Sequence, residues 1–77
     1  SIDTVPVLSS DEAKTKMNLT KKQKIAEDTL LIYSLSDNEY KLCWKYEIKA
    51  KDVTQNKLIY VDSTTGEIVN EIYTTIT

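Results

Sequence analysis

Leu42, Trp44, Tyr46 and Ile48 alternate with Lys41, Cys43, Lys45, Glu47 and Lys49. A period of two is the mark of a β-strand with one face in a core and the other in water. Such a strand needs paired neighbours for its backbone and a cover for its apolar face. The rest of the chain is therefore read for what can supply them.

Two further strands follow from the same kind of pattern. Residues 30–35 are apolar and β-prone, and Ser36, Asp37, Asn38 and Glu39 form a polar return loop, so this segment pairs with the alternating strand as a hairpin. Residues 52–57 turn the chain, residues 58–62 run back, residues 63–66 turn again, and a strand from Glu67 to about Ile76 closes the sheet. Gly66 is the only glycine, and it stands where a tight turn calls for positive φ. The second part of the chain, residues 29–77, is a β meander.

The first part reads differently. Ile2, Val5 and Val7 surround the only proline, Pro6, which suits an extended arm over residues 1–8. Ser9 followed by Glu12 is a capping box, with Leu8 and Ala13 placed as a hydrophobic staple, so a helix starts there. Ala13 and Met17 form its apolar pair, and it spans residues 9–19. Residues 20–28 hold only Ile25 and Ala26 as apolar groups and read as a linker, although Thr20 and Gln23 have capping-box spacing. The expected architecture is α+β: a single domain over residues 1–77 with one helix packed on an antiparallel sheet of about three to four strands. Ala13 and Met17 would lie over Leu42, Trp44, Tyr46 and Ile48.

Composition narrows function chiefly by exclusion. The chain has 77 residues, ten lysines without arginine, twelve acids and a net charge of −2, so it lacks the basic stripe of a nucleic-acid binder. Lys21, Lys22 and Lys24 read as a solvated face of the linker. No apolar run approaches the ~18 residues of a membrane span. Histidine is absent and Cys43 is the only cysteine. A Ser-His or Cys-His nucleophile pair is thereby impossible, and a metal site would have to be built from carboxylates and one thiolate. No catalytic residue, cofactor or metal site is expected, and the domain itself is expected not to be an enzyme.

The stretch Leu58, Ile59, Tyr60, Val61, Asp62, Ser63, Thr64, Thr65, Gly66, Glu67, Ile68, Val69 resembles the carboxy-terminal hairpin of PepSY-type domains, found in propeptides of secreted thermolysin-like metallopeptidases. Residues 42–48 look like that family's preceding strand, residues 29–32 like the strand that opens its meander, and residues 9–13 like its helix start. The sharp part is Val61, Asp62, Thr65, Gly66 and Glu67. These residues also have a reading of their own: Asp62 accepts from amides two or three residues on, Thr65 leads into Gly66, and Glu67 restarts the strand. On that reading Asp62, Thr65, Gly66 and Glu67 make a structural turn and not a ligand site.

The resemblance implies a PepSY-like α+β fold of cystatin-like appearance, in an excised piece of a longer secreted or cell-envelope protein. Its job would be that of a propeptide module, an intramolecular chaperone and protease inhibitor that keeps a zymogen silent until cleavage. The partner would be the catalytic domain of its own or a related protease. The alternative is a stand-alone PepSY-like regulatory or binding domain of a cell-envelope protein. Cys43, mid-strand, is expected to be an inert thiol and not a zinc-capturing one. Trp44 and Tyr46 are expected in the core, and Tyr33, Tyr40 and Tyr73 are freer candidates for contact.

Overall fold

A computed structural model describes residues 4–75; the outer parts of the expected arm, including Ile2, and the expected strand end at Ile76 lie outside the described residues. Its elements in chain order are a short helix α1 (Ser10–Lys14), β1 (Gln23–Ser36), β2 (Glu39–Ala50), a 3-10 turn (Val53–Gln55), β3 (Lys57–Asp62) and β4 (Ile68–Tyr73). The four strands form one antiparallel sheet in the order β1-β2-β3-β4, each paired with its neighbour in sequence.

This corrects the α+β expectation. The molecule is mostly antiparallel β-sheet, and among the described residues the only α-helix has five residues. The capping box forms as the sequence indicates: Glu12 N–H donates to Ser9 Oγ at 3.1 Å and Ser9 N–H to Glu12 Oε1 at 2.9 Å. Propagation then fails. Thr15 turns its hydroxyl back onto Glu12 O at 2.7 Å, and Lys16 and Met17 N–H bond three residues back, to Ala13 O and Lys14 O, so the helix tightens and stops. A nucleus is costly and each added residue repays little, so a segment with only Ala13 and Met17 as apolar anchors stays short. Both anchors are nonetheless buried.

The expected linker over residues 20–28 is also corrected. From Gln23 onward it is strand, paired Gln23 to Ala50, Lys24 to Lys49 and Ile25 to Ile48. Thr20 and Gln23 do interact, Thr20 N–H donating to Gln23 Oε1 at 3.0 Å, but they close a turn that feeds a strand. Pairing with β2 decides the conformation of a segment whose own polar composition favours neither helix nor strand. A register shift between Ile25 and Glu27 absorbs the mismatch as a bulge.

The core lies on one face of the sheet. Tyr46, Ile48, Ile59 and Val61 meet Ala13 and Met17, with Leu8, Leu19, Ile25 and Trp44 packed around them. Two aromatic side chains of β2 also reach across to the segment above: Trp44 Nε1–H donates to Leu8 O at 2.9 Å, and Tyr46 O–H to Ser10 O at 2.7 Å. Leu8 N–H donates in turn to Ser63 O at 2.8 Å. A helix too short to be stable alone is thus held by hydrogen bonds at its entry as well as by burial.

Candidate partner-binding surface

The site residues inferred from the motif come together as one turn between β3 and β4. Asp62 is 5% exposed. Its Oδ1 accepts the Thr64 N–H at 2.8 Å, its Oδ2 pairs with Lys41 Nζ at 2.9 Å, and its carbonyl accepts the Gly66 N–H at 2.9 Å. Thr65 Oγ1 accepts the Glu67 N–H at 3.1 Å, and Gly66 has φ +81°. Burial alone would push the Asp62 carboxyl up, but the Lys41 ammonium and the amides of Thr64 and Thr65 hold it below the ordinary carboxylate value. Lys41 is raised in return by Asp62. One carboxylate oxygen ties Asp62 to the turn through the Thr64 N–H and the other ties it to Lys41 of β2, so its bonds fasten the loop to the sheet.

Gly66 is held to its identity twice over. Its φ is one that L side chains rarely adopt, and a Cβ there would sit 2.8 Å from Lys16 Cγ, because the Lys16 stem lies over the turn. Lys16 thereby helps to pack the segment after α1 against the β3–β4 turn.

Cys43 is fully buried, and burial pushes its thiol above the ordinary value, with Asp62 adding to the rise. A buried thiol with a raised pKa carries little thiolate and is a poor nucleophile and metal ligand. Among the described residues no group of three His, Cys, Asp or Glu side chains could hold a metal ion.

On the face of the sheet opposite the core, Tyr33 of β1 and Tyr60 of β3 meet across β2 with ring centroids 4.4 Å apart and planes tilted by 36°. Asn70 Nδ2 donates to Tyr33 Oη at 2.8 Å. Tyr33 is therefore half-buried and engaged, unlike the freer contact residue the sequence suggested. Tyr40 and Tyr73 are exposed, at 48% and 56%, and Lys57 Nζ lies 5.7 Å from the Tyr73 ring centre.

The surface left over is an arm. β3 pairs with β2 only from Cys43 to Ile48, whereas β1 and β2 remain paired out to Ser36 and Glu39. Beyond the Ile32–Leu42 pair the hairpin is a two-stranded ribbon, with no third strand beside it among the described residues. Alternation places Leu42 and Tyr40 on the side that further along carries Trp44 and Tyr46, and Ile32 stands opposite Leu42. Ile32 is 46% exposed on that side, and Leu35, 37% exposed, falls at the register shift between Ser34 and Ser36. The core face thus runs on past its cover as an apolar strip. β1 is also an edge strand, and residues 29–36 carry no charge to discourage an incoming strand. The sequence marked an open edge as possible without showing which; the strand order makes both β1 and β4 edges, β1 being the longer.

No protein-family model matches the chain, and no solved structure matches it. The chain is similar to the SPbeta prophage-derived pesticidal crystal protein-like YokG of Bacillus subtilis (strain 168), 36% identical over 67 residues. That alignment takes in 83% of this chain but 19% of the relative, so the chain spans about a fifth of the relative's length.

Proposed function

We propose that the chain is a non-catalytic protein-binding module, and that its partner is the catalytic domain of a secreted zinc metallopeptidase. It helps that domain to fold and keeps it inactive until cleavage. The observation that carries the binding half is the β1–β2 arm, with Ile32, Leu35 and Tyr40 exposed beside an uncharged strand edge. A two-stranded ribbon is marginal on its own, and an apolar strip on one gains by being covered.

The likeness of residues 58–69 to the closing hairpin of PepSY-type propeptides supports the identity of the partner. A module that binds the native catalytic domain and not its unfolded chain stabilises the native form by mass action, and carriage on the same chain raises its effective concentration. Inhibition then follows from covering the cleft. The similarity to a protein described as pesticidal crystal protein-like favours a second reading, a PepSY-like binding domain that serves a larger protein other than a peptidase.

The coding sequence around this chain tests the choice between them. A His-Glu-x-x-His motif within the few hundred residues after Thr77 is the outcome expected of the propeptide reading. A stop codon or a membrane span directly after Thr77 contradicts it.

A further inference from the structure

The β1–β2 register joins two lysine-rich segments that lie far apart in sequence. Gln23 stands opposite Ala50 and Lys24 opposite Lys49, and Lys51 N–H donates to Lys22 O at 3.1 Å. Lys21, Lys22, Lys24, Lys49 and Lys51 consequently line one cavity of about 320 Å³. Half of the ten lysines of a chain whose net charge is −2 stand around this one hollow. Among the described residues no ion pair engages Lys21, Lys22, Lys24 or Lys51; Lys49 lies 3.1 Å from Glu47.

We propose that this cavity is a binding site for a multivalent oxyanion, a phosphate or diphosphate group. Clustered like charges repel one another, and a single anion with several negative oxygens relieves that repulsion at several lysines together. Recognition falls to the ammonium groups. The nearby backbone amides are already committed, Gln23 N–H to Thr20 O, Ala50 N–H to Asn56 Oδ1 and Lys51 N–H to Lys22 O. Lysines bind phosphate as point charges, so the site selects for charge density and not for a fixed fork geometry. The lysine stems form its walls. The same group arrives either free or as a lipid headgroup.

The test is a titration of the chain with inorganic diphosphate, followed by backbone amide shifts in NMR spectra at constant ionic strength. Saturable shifts confined to residues 20–25 and 48–52 are expected. The variant Lys22→Ala/Lys24→Ala/Lys51→Ala should weaken binding about tenfold or more, and the charge-preserving Lys22→Arg/Lys24→Arg/Lys51→Arg should retain it. A charge-matched control, Lys14→Ala/Lys16→Ala/Lys45→Ala, should bind as the wild type does. A parallel arm measures sedimentation with phosphatidylglycerol vesicles against phosphatidylcholine vesicles. Binding to the anionic vesicles alone, lost in the first variant, assigns the group to a lipid headgroup, and saturation by diphosphate assigns it to a free anion. Non-saturating shifts without vesicle binding, or equal loss in the charge-matched control, would overturn the proposal.

Discussion

Replacing Asp62 removes the fastener of the β3–β4 turn and the buried end of its ion pair in one step. Asp62→Ala leaves the Thr64 N–H without its 2.8 Å acceptor and strips Lys41 of its partner at 2.9 Å. Charge-assisted hydrogen bonds of this kind contribute ~1.5–3 kcal/mol, and the lower end applies where one partner stands in water, as Lys41 partly does. The expected loss from Asp62→Ala is about 2 kcal/mol, which for a chain of this size lowers Tm by roughly 8–16 °C. Asp62→Asn keeps an acceptor for Thr64 and loses the charge, so about 1 kcal/mol is expected.

The pH dependence separates the two contributions. Because folding lowers the Asp62 pKa from its ordinary 3.8, its stabilisation is fully present above that value and is lost as pH falls through the lower folded pKa. Urea unfolding followed by the fluorescence of Trp44 reads this directly. The gap between wild type and Asp62→Asn should be constant near neutrality and should close below pH 3.8. A gap that persists undiminished at the acid end, or an Asp62→Ala variant as stable as wild type, would refute the assignment of Asp62 as a charged fastener.

Three further substitutions or probes address other parts of the fold. Gly66→Ala should cost about 1–2 kcal/mol in urea unfolding because its φ is +81°, and adding Lys16→Ala should recover only the smaller, steric part. Tyr46→Phe removes the hydrogen bond to Ser10 O and should cost about 1 kcal/mol, with amide exchange accelerated in residues 10–17 before the sheet is affected. Cys43 should resist a thiol reagent in the native chain and react at the rate of a free cysteine in urea; fast native labelling would contradict its burial.

The sheet was legible because its signals are local. The alternation around Trp44, the polar return at Asp37 and Asn38, and Gly66 each act through a few residues, and they place β2, the hairpin and the last turn. The helix was half legible: the Ser9–Glu12 box marks its start, but its length depends on how Thr15 bonds, which spacing does not encode. Residues 20–28 misled for a related reason. A polar segment becomes strand when a partner presents a paired edge, and that partner, Lys49 and Ala50, lies far downstream.

The candidate surfaces divide along the same line. The turn motif could be read from Asp62, Thr65, Gly66 and Glu67, since its bonds are short-range. Neither the Trp44 and Tyr46 bonds to Leu8 and Ser10 nor the lysine cavity could be, since each joins residues more than twenty positions apart. Apolar side chains at 32, 35 and 40 carried the one available hint of the arm, but alternation does not reveal that β3 stops short of them.

The most direct test of the binding claim is isothermal titration of the chain into the mature catalytic domain of a thermolysin-like metallopeptidase, with residual peptidase activity measured on the same samples. Saturable binding at micromolar concentration with matching loss of activity is expected, and both should be abolished in Ile32→Asp/Tyr40→Ala, whose two exposed side chains can change without opening the core. Absence of binding and inhibition at micromolar concentration, or equal binding by that variant, would contradict the account.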